Sequence, residues 1–258
     1  MKNSLATKQK RLVKQGSLYA LGGHRLLCSS STDEKSVQTL LKGIKIKSII
    51  TDPPYGVAYV EAKAGFKQNI ANPQVIMNDH KQSDSEYELF SYQWLHATQP
   101  YLDKKNSVYI FNSDRMIFAL REAMKKSNYH FAQLLVWIKT QPVIGRLDYL
   151  PQHELLAYGW SGTHEFLKAK DKSVLFYPKP SKSTLHPTMK PVGLIRNLIL
   201  NNTRVEDIVY DPFGGSGTTL IAAEQTKRTC YMMEISEVHC QTIIDRYEKL
   251  THSKAKLL

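Results

Sequence analysis

The order of segments between Asp207 and Leu250 constrains what this chain can fold into more than any other feature. Asp207 to Asp211 reads as a short buried strand, Pro212 to Thr219 as a glycine-rich turn, and Leu220 to Gln225 as the start of a helix. Arg228 to Met233 forms the next strand and closes on Glu234, after which Ser236 caps a helix through Leu250. Strand, turn, helix and strand in this order belong to a parallel sheet covered by helices. Small residues in such a turn let backbone approach a nucleotide-like ligand, and Glu234, at the end of the following strand, is placed to bind a ribose hydroxyl pair.

The second fixed point is Thr51-Asp52-Pro53-Pro54-Tyr55, at the end of the apolar run Ile44 to Ile50. Two prolines stop a β-branched strand and open it into a rigid loop, because proline fixes φ and cannot donate to a ladder. The result is an acceptor-rich pocket with a carboxylate, stiffly held carbonyls and an aromatic plate. Such a pocket suits a flat group bearing an amine. An exocyclic amine on a base is a poor nucleophile, since its lone pair is delocalised into the ring. The Asp52 carboxylate and the Pro53 carbonyl, accepting from its hydrogens, would return that lone pair to nitrogen, with Tyr55 stacked on the ring.

Three ligands compete for the turn at Gly214-Gly215-Ser216-Gly217-Thr218-Thr219. A phosphate-binding loop needs a lysine after its last glycine, where this chain has Thr218, and the dinucleotide spacing G-x-G-x-x-G is absent. A nucleoside without a pyrophosphate fits best. The sulfonium of S-adenosylmethionine would also favour acidic neighbours such as Asp52 and Asp211.

The remaining chain reads as an alternation of short elements. Ser17 to Leu21 and His24 to Cys28 form strands about a Gly-Gly turn, and Asp33 to Gly43 a helix. Ser85 to Leu102 and Arg115 to Lys126 read as helices, and Ser107 to Phe111, His130 to Ile138 and Glu154 to Trp160 as strands. Val57 to His80 lacks periodicity and reads as a loop beside the proposed site. Val192 to Asn201 is a helix with proline at its start. Ser161 to Leu185 interleaves Lys168, Lys170, Lys172, Lys179 and Lys182 with Phe166, Phe176 and Tyr177, a pattern suited to a phosphate backbone and stacked bases, which makes it the leading candidate for substrate recognition.

A length of 258 residues accommodates one large α/β domain. A net charge of +12 favours a polyanionic partner, nucleic acid first. Three cysteines without paired spacing, no secretory segment and no long apolar run indicate a reduced cytoplasmic protein with no membrane association. Nine histidines show no ligand spacing, so no metal is expected.

With both motifs assembled, the chain resembles the β-class amino-group DNA methyltransferases. The residues that carry the likeness are Leu21-Gly22-Gly23-His24-Arg25-Leu26-Leu27-Cys28, Thr51 to Gly56, His186-Pro187-Thr188-Met189-Lys190-Pro191, Asp211 to Thr219, and Glu234. The resemblance implies transfer of methyl from S-adenosylmethionine to adenine N6, or less often cytosine N4, of a base flipped out of double-stranded DNA. Asp52, Pro53, Pro54 and Tyr55 would be catalytic. Asp211, Phe213, Gly214, Gly215, Ser216, Gly217, Thr218 and Glu234 would hold the cofactor, with Lys190 near its methionine end. Relatives commonly read Cys-Gly-Asp-Ser where this chain has Cys28-Ser29-Ser30-Ser31, so Ser30 or Asp33 would have to replace an aspartate that holds the cofactor's adenine amine. Losing one charge-assisted hydrogen bond costs about 1.5–3 kcal/mol, about ten- to a hundredfold in affinity.

These readings predict a Rossmann-like methyltransferase fold with circularly permuted motif order and a mostly parallel, seven-stranded sheet flanked by helices. Residues 1–16 would be a flexible basic arm, and 17–258 a single domain with a small recognition insertion at about 141–185. Asp52 favours adenine by resemblance. Cytosine N4 is the rival within the class, and a catalytically silent DNA-binding relative the rival outside it. A small recognition region suits a homodimer, in which a second subunit extends the DNA footprint. Whether a restriction endonuclease partner exists is left open.

Overall fold

The computed structural model describes residues 13–56, 80–143, 148–168, 171–178 and 189–258. Its strands are β1 (Leu18–Leu21), β2 (His24–Cys28), β3 (Ile46–Thr51), β4 (Leu102–Asn112), β5 (His130–Ile138), β6 (His153–Trp160), β7 (Val174–Phe176), β8 (Ile208–Asp211), β9 (Thr229–Glu234) and β10 (Lys256–Leu257). Its helices are α1 (Glu34–Leu41), α2 (Asp84–Thr98), α3 (Ile117–Lys126), α4 (Val192–Asn202), α5 (Thr218–Gln225) and α6 (Glu237–Thr251).

Alternation along the strands decides which helices cover which face. Ile49 and Val108 point to one side, where α1, α2 and α3 bury Val37, Leu41, Trp94, Leu95 and Leu120. Their neighbours Ile50 and Tyr109 point to the other, against Leu194 and Leu198 of α4, Leu220 of α5, and Ile243 and Tyr247 of α6. Each such aliphatic side chain, taken from water, contributes about 1.5–3 kcal/mol. The three-layer α/β architecture agrees with the sequence reading.

The sheet itself has ten strands, in the order β10-β1-β2-β9-β8-β3-β4-β6-β5-β7, and it is mixed. Strands β2, β9, β8, β3 and β4 run parallel, β6 pairs antiparallel with both β4 and β5, and β1 pairs antiparallel with β2 and β10. Seven central strands from β2 to β5 match the expected count. The additional ones, β1, β7 and β10, extend the two edges. Strand β6, which falls within the expected insertion at about 141–185, belongs to this sheet, and its residues 153–160 separate β4 from β5.

The flexible arm expected over residues 1–16 is corrected at its end. Val13 is buried, Gly16 N–H donates to the Cys28 carbonyl at 2.7 Å, and Gln15 N–H donates to Glu237 Oε1 at 2.9 Å. Residues 1–12 lie outside the described residues, as do 57–79 of the expected loop. Among the described residues, no helix is long and apolar enough to cross a membrane.

Candidate active site

Four parallel strands end on one rim of the sheet, at Cys28, Thr51, Asp211 and Glu234. Cys28 lies beside Glu234 in the register of β2 and β9, and Asp211 beside Met232 in that of β8 and β9. The two sequence motifs therefore meet at this rim. They are joined by a hydrogen bond from Thr51 Oγ1 to Asp211 Oδ1 at 2.7 Å, across 160 positions of chain.

Reversal of β6 brings a further residue to the same rim. Because β6 is antiparallel to β4, with Leu155 opposite Asn112, its first residues stand where the parallel strands end. Glu154 there meets the catalytic motif. Its Oε2 lies 3.0 Å from Lys190 Nζ and 3.4 Å from Tyr55 Oη, and its Oε1 lies 2.8 Å from Lys139 Nζ. Lys190 Nζ also donates to Asp52 Oδ2 at 2.5 Å, while Tyr55 Oη–H donates to Asp52 Oδ1 at 2.6 Å. Lys190 further sits 4.9 Å from the centre of the Phe111 ring. Pro53 is buried and Pro54 half-buried, which fixes the turn that presents Asp52. Gly56 follows with φ 63°, and a Cβ there would stand 2.7 Å from Gln82 Oε1.

Two buried ammoniums and two half-buried carboxylates thus form a charge-balanced cluster. Lys139 and Lys190 are each 6% exposed. Burial raises the Asp52 pKa, with the Glu154 charge adding to it and the Lys190 charge opposing it. Glu154 goes the other way: burial works against its ionisation, but Lys190 and Lys139 together hold it down to about 2. For Lys190 the carboxylates outweigh burial and raise its pKa. The Lys190 ammonium, expected near the cofactor's methionine end, is directed to Asp52 and Glu154.

The glycine turn is built from the other side of the rim. Gly214 N–H donates to the Met233 carbonyl at 2.8 Å, and a Cβ on Gly214 would stand 2.6 Å from Met232 Sδ. Gly217, at φ 80°, caps α5, and Ser216 and Thr218 beside it are buried. Glu234 secures the turn. Its Oε2 accepts from Gly215 N–H at 2.7 Å and its Oε1 from Ser236 N–H at 2.8 Å, which leaves one lone pair on each oxygen for ribose hydroxyls. The Phe213 ring packs between Phe90 and Trp94, at 5.7 and 5.6 Å between ring centres, and is only half-buried, so part of it still faces outward. Burial pushes the Asp211 carboxyl up to about 6, against the hydrogen bonds from Thr219, Thr51 and Phe213.

At the end of β2, Ser30 Oγ pairs with Thr32 Oγ1 at 2.8 Å. Asp33 Oδ2 accepts from Ser36 N–H at 3.1 Å and from Ser36 Oγ–H at 2.6 Å as the N-cap of α1. Of the expected recognition stretch Ser161 to Leu185, the first part lies on the opposite rim. Thr163 bridges to Lys105, Glu165 pairs with Arg204 and Lys47, and Lys168 binds Asn197 at 2.8 Å. Lys170, Lys179 and Lys182 lie outside the described residues, as do His186, Pro187 and Thr188. The segment between β5 and β6 leaves from the catalytic rim, and there Tyr149 is 92% exposed.

Sequence reasoning missed Thr51 as the tie between the motifs, and Glu154 and Lys139 altogether. Lys139 just after the apolar run of β5 and Glu154 just before that of β6 were the available signal.

The DNA methylase family model matches residues 46–245. Type II methyltransferase M2.MboI of Moraxella bovis is 24% identical over 233 residues, covering 80% of this chain and 82% of that protein. Type II methyltransferase M.HpaI of Haemophilus parainfluenzae is 23% identical over 250 residues, covering 87% and 74%. Among solved structures, the M1.HpyAVI–SAM complex superposes with a TM-score of 0.63 at 23% identity, covering 86% of this chain and 98% of that one. The cytosine-N4-specific PvuII DNA methyltransferase gives 0.66 at 13% identity, covering 89% and 93%. At these identities the structural likeness is one of fold.

Proposed function

The chain belongs to the DNA methylase family, and from that premise we propose that it methylates adenine N6 in duplex DNA with S-adenosylmethionine as methyl donor. The observation that carries this reading is the Thr51–Asp211 bond, which sets an amine-accepting carboxylate next to a glycine turn on one rim. The donor set fits the cofactor: Asp211 and Glu234 flank the turn, and no lysine stands within it to demand a phosphate. S-adenosylmethionine supplies an electrophilic methyl group on a positively charged sulfur.

In this reading Gly215 and Gly217 keep the turn close to β9, and Glu234 offers its spare lone pairs to the ribose. Asp52 and the Pro53 carbonyl accept the hydrogens of the target amine and restore its lone pair to nitrogen. Tyr55, held by its hydroxyl to Asp52, presents its ring to the flipped base. Once nitrogen has bonded to the methyl carbon and the carbon–sulfur bond has broken, the amine carries an extra proton, which passes to Asp52 or water.

Asp52 at the head of the motif favours adenine by family resemblance, whereas the fold is shared with a cytosine-N4 enzyme. Radiolabelled methyl transfer into unmethylated duplex DNA, followed by nucleoside analysis, tests the assignment. Label in N6-methyladenine is the expected result. Label in N4-methylcytosine would replace the base and keep the chemistry, while DNA binding without incorporation would favour the silent relative.

A further inference from the structure

Both carboxylate oxygens of Asp52 are engaged within the chain, Oδ1 by the Tyr55 hydroxyl and Oδ2 by the Lys190 ammonium. A carboxylate oxygen has two lone pairs, so a target amine can bind beside these donors or displace one of them; displacement at Oδ2 releases the Lys190 ammonium. A buried ammonium that gives up its carboxylate needs another, since an unpaired buried charge is strongly unfavourable. Lys190 has one at hand: Glu154 Oε2 stands 3.0 Å from the same nitrogen. Tyr55 Oη is likewise within 3.4 Å of that oxygen. Lys139, at 2.8 Å from Oε1, keeps Glu154 ionised and in place from the far side.

We propose that Glu154 is a positioning residue for methyl transfer, which takes up the Lys190 ammonium when the target amine occupies Asp52 Oδ2. The proposal rests on Asp52 being the amine acceptor. It gives the cluster a donor exchange: amine replaces ammonium on Asp52, and the ammonium moves onto Glu154 without losing its ionic partner.

The test compares wild-type protein with Glu154→Gln and Glu154→Asp in methyl transfer to duplex DNA, reading turnover, the KM for S-adenosylmethionine and the pH profile of turnover. In Glu154→Gln, Lys190 is committed to Asp52. Turnover is expected to fall about ten- to a hundredfold, the loss of one charge-assisted bond, with the cofactor KM little changed. The acid limb of the profile should move to lower pH, because Asp52 loses a like-charged neighbour and keeps its cation. Glu154→Asp, which retains the charge one methylene further back, should recover part of the turnover and return the limb towards wild type; this variant decides the matter if Glu154→Gln does not fold. Wild-type transfer matched by Glu154→Gln, or a loss confined to cofactor KM with an unmoved acid limb, overturns the proposal alone. Failure of wild-type protein to methylate any DNA overturns the functional reading and this proposal together.

Discussion

Asp211→Asn probes the contact that joins the two halves of the site, and its size follows from the carboxyl's surroundings. Burial raises the Asp211 pKa from 3.8 to about 6, despite hydrogen bonds from Thr219, Thr51 and the Phe213 N–H. The folded chain therefore holds this proton more tightly than the unfolded chain does. Stability from this group is complete below the unfolded pKa, is lost as pH rises towards the folded pKa, and stays constant above it. A shift of about two units corresponds to about 3 kcal/mol. Asparagine keeps an acceptor for Thr51 and Phe213 but does not titrate, so whatever fixed cost the amide brings is the same at every pH. Urea unfolding of both proteins, followed by tryptophan fluorescence between about pH 4 and about pH 7, gives the difference directly. The stability of wild type relative to Asp211→Asn should fall by about 3 kcal/mol across that range. A flat difference, or one that grows with pH, would refute a buried, proton-holding Asp211.

Asp52→Asn preserves shape and removes the charge that the amine needs; methyl transfer should drop by at least about a hundredfold with the unfolding midpoint retained, and near-normal transfer would remove Asp52 from the chemistry. Gly217→Ala places a Cβ 3.0 Å from Ile243 Cγ1 at φ 80°. It should cost about 1–3 kcal/mol in thermal unfolding and weaken S-adenosylmethionine binding, and an unchanged Tm would show that the turn tolerates a side chain. Asp33→Ala removes the cap of α1 and should cost about 1 kcal/mol while leaving cofactor affinity untouched. A tenfold or greater rise in Kd would instead assign Asp33 to the adenine amine.

Much of the fold is legible in the sequence because the interior strands state their own period. Ile49 and Ile50 serve opposite faces of the sheet, and the glycine turn between β8 and α5 needs no distant residue to be read. Strands β7 and β10, of three and two residues, carry too little pattern and exist through pairing with Val136 to Ile138 and with Tyr19 and Ala20. The site was readable where chemistry is contiguous, as in Asp52 to Tyr55. It was not readable where tertiary pairing decides. Lys190 looks like a lysine at a helix start, and only folding shows that its partners are Asp52, 138 positions away, and Glu154. In Ser161 to Leu185, alternating lysines and aromatics say nothing about which end of a strand they follow.

The reversed direction of β6 bears on how DNA specificity could be exchanged between relatives. A chain that enters β6 at the catalytic rim and leaves it at the other sends its two flanking segments to opposite ends of the molecule. A graft across this region therefore has to treat the two flanks of β6 separately. Residues 161–168 can remain as scaffold, because their bonds to Asn106, Lys105 and Arg204 fasten the far rim. Transplanting 141–185 as one contiguous block would exchange a strand from the middle of the sheet with it.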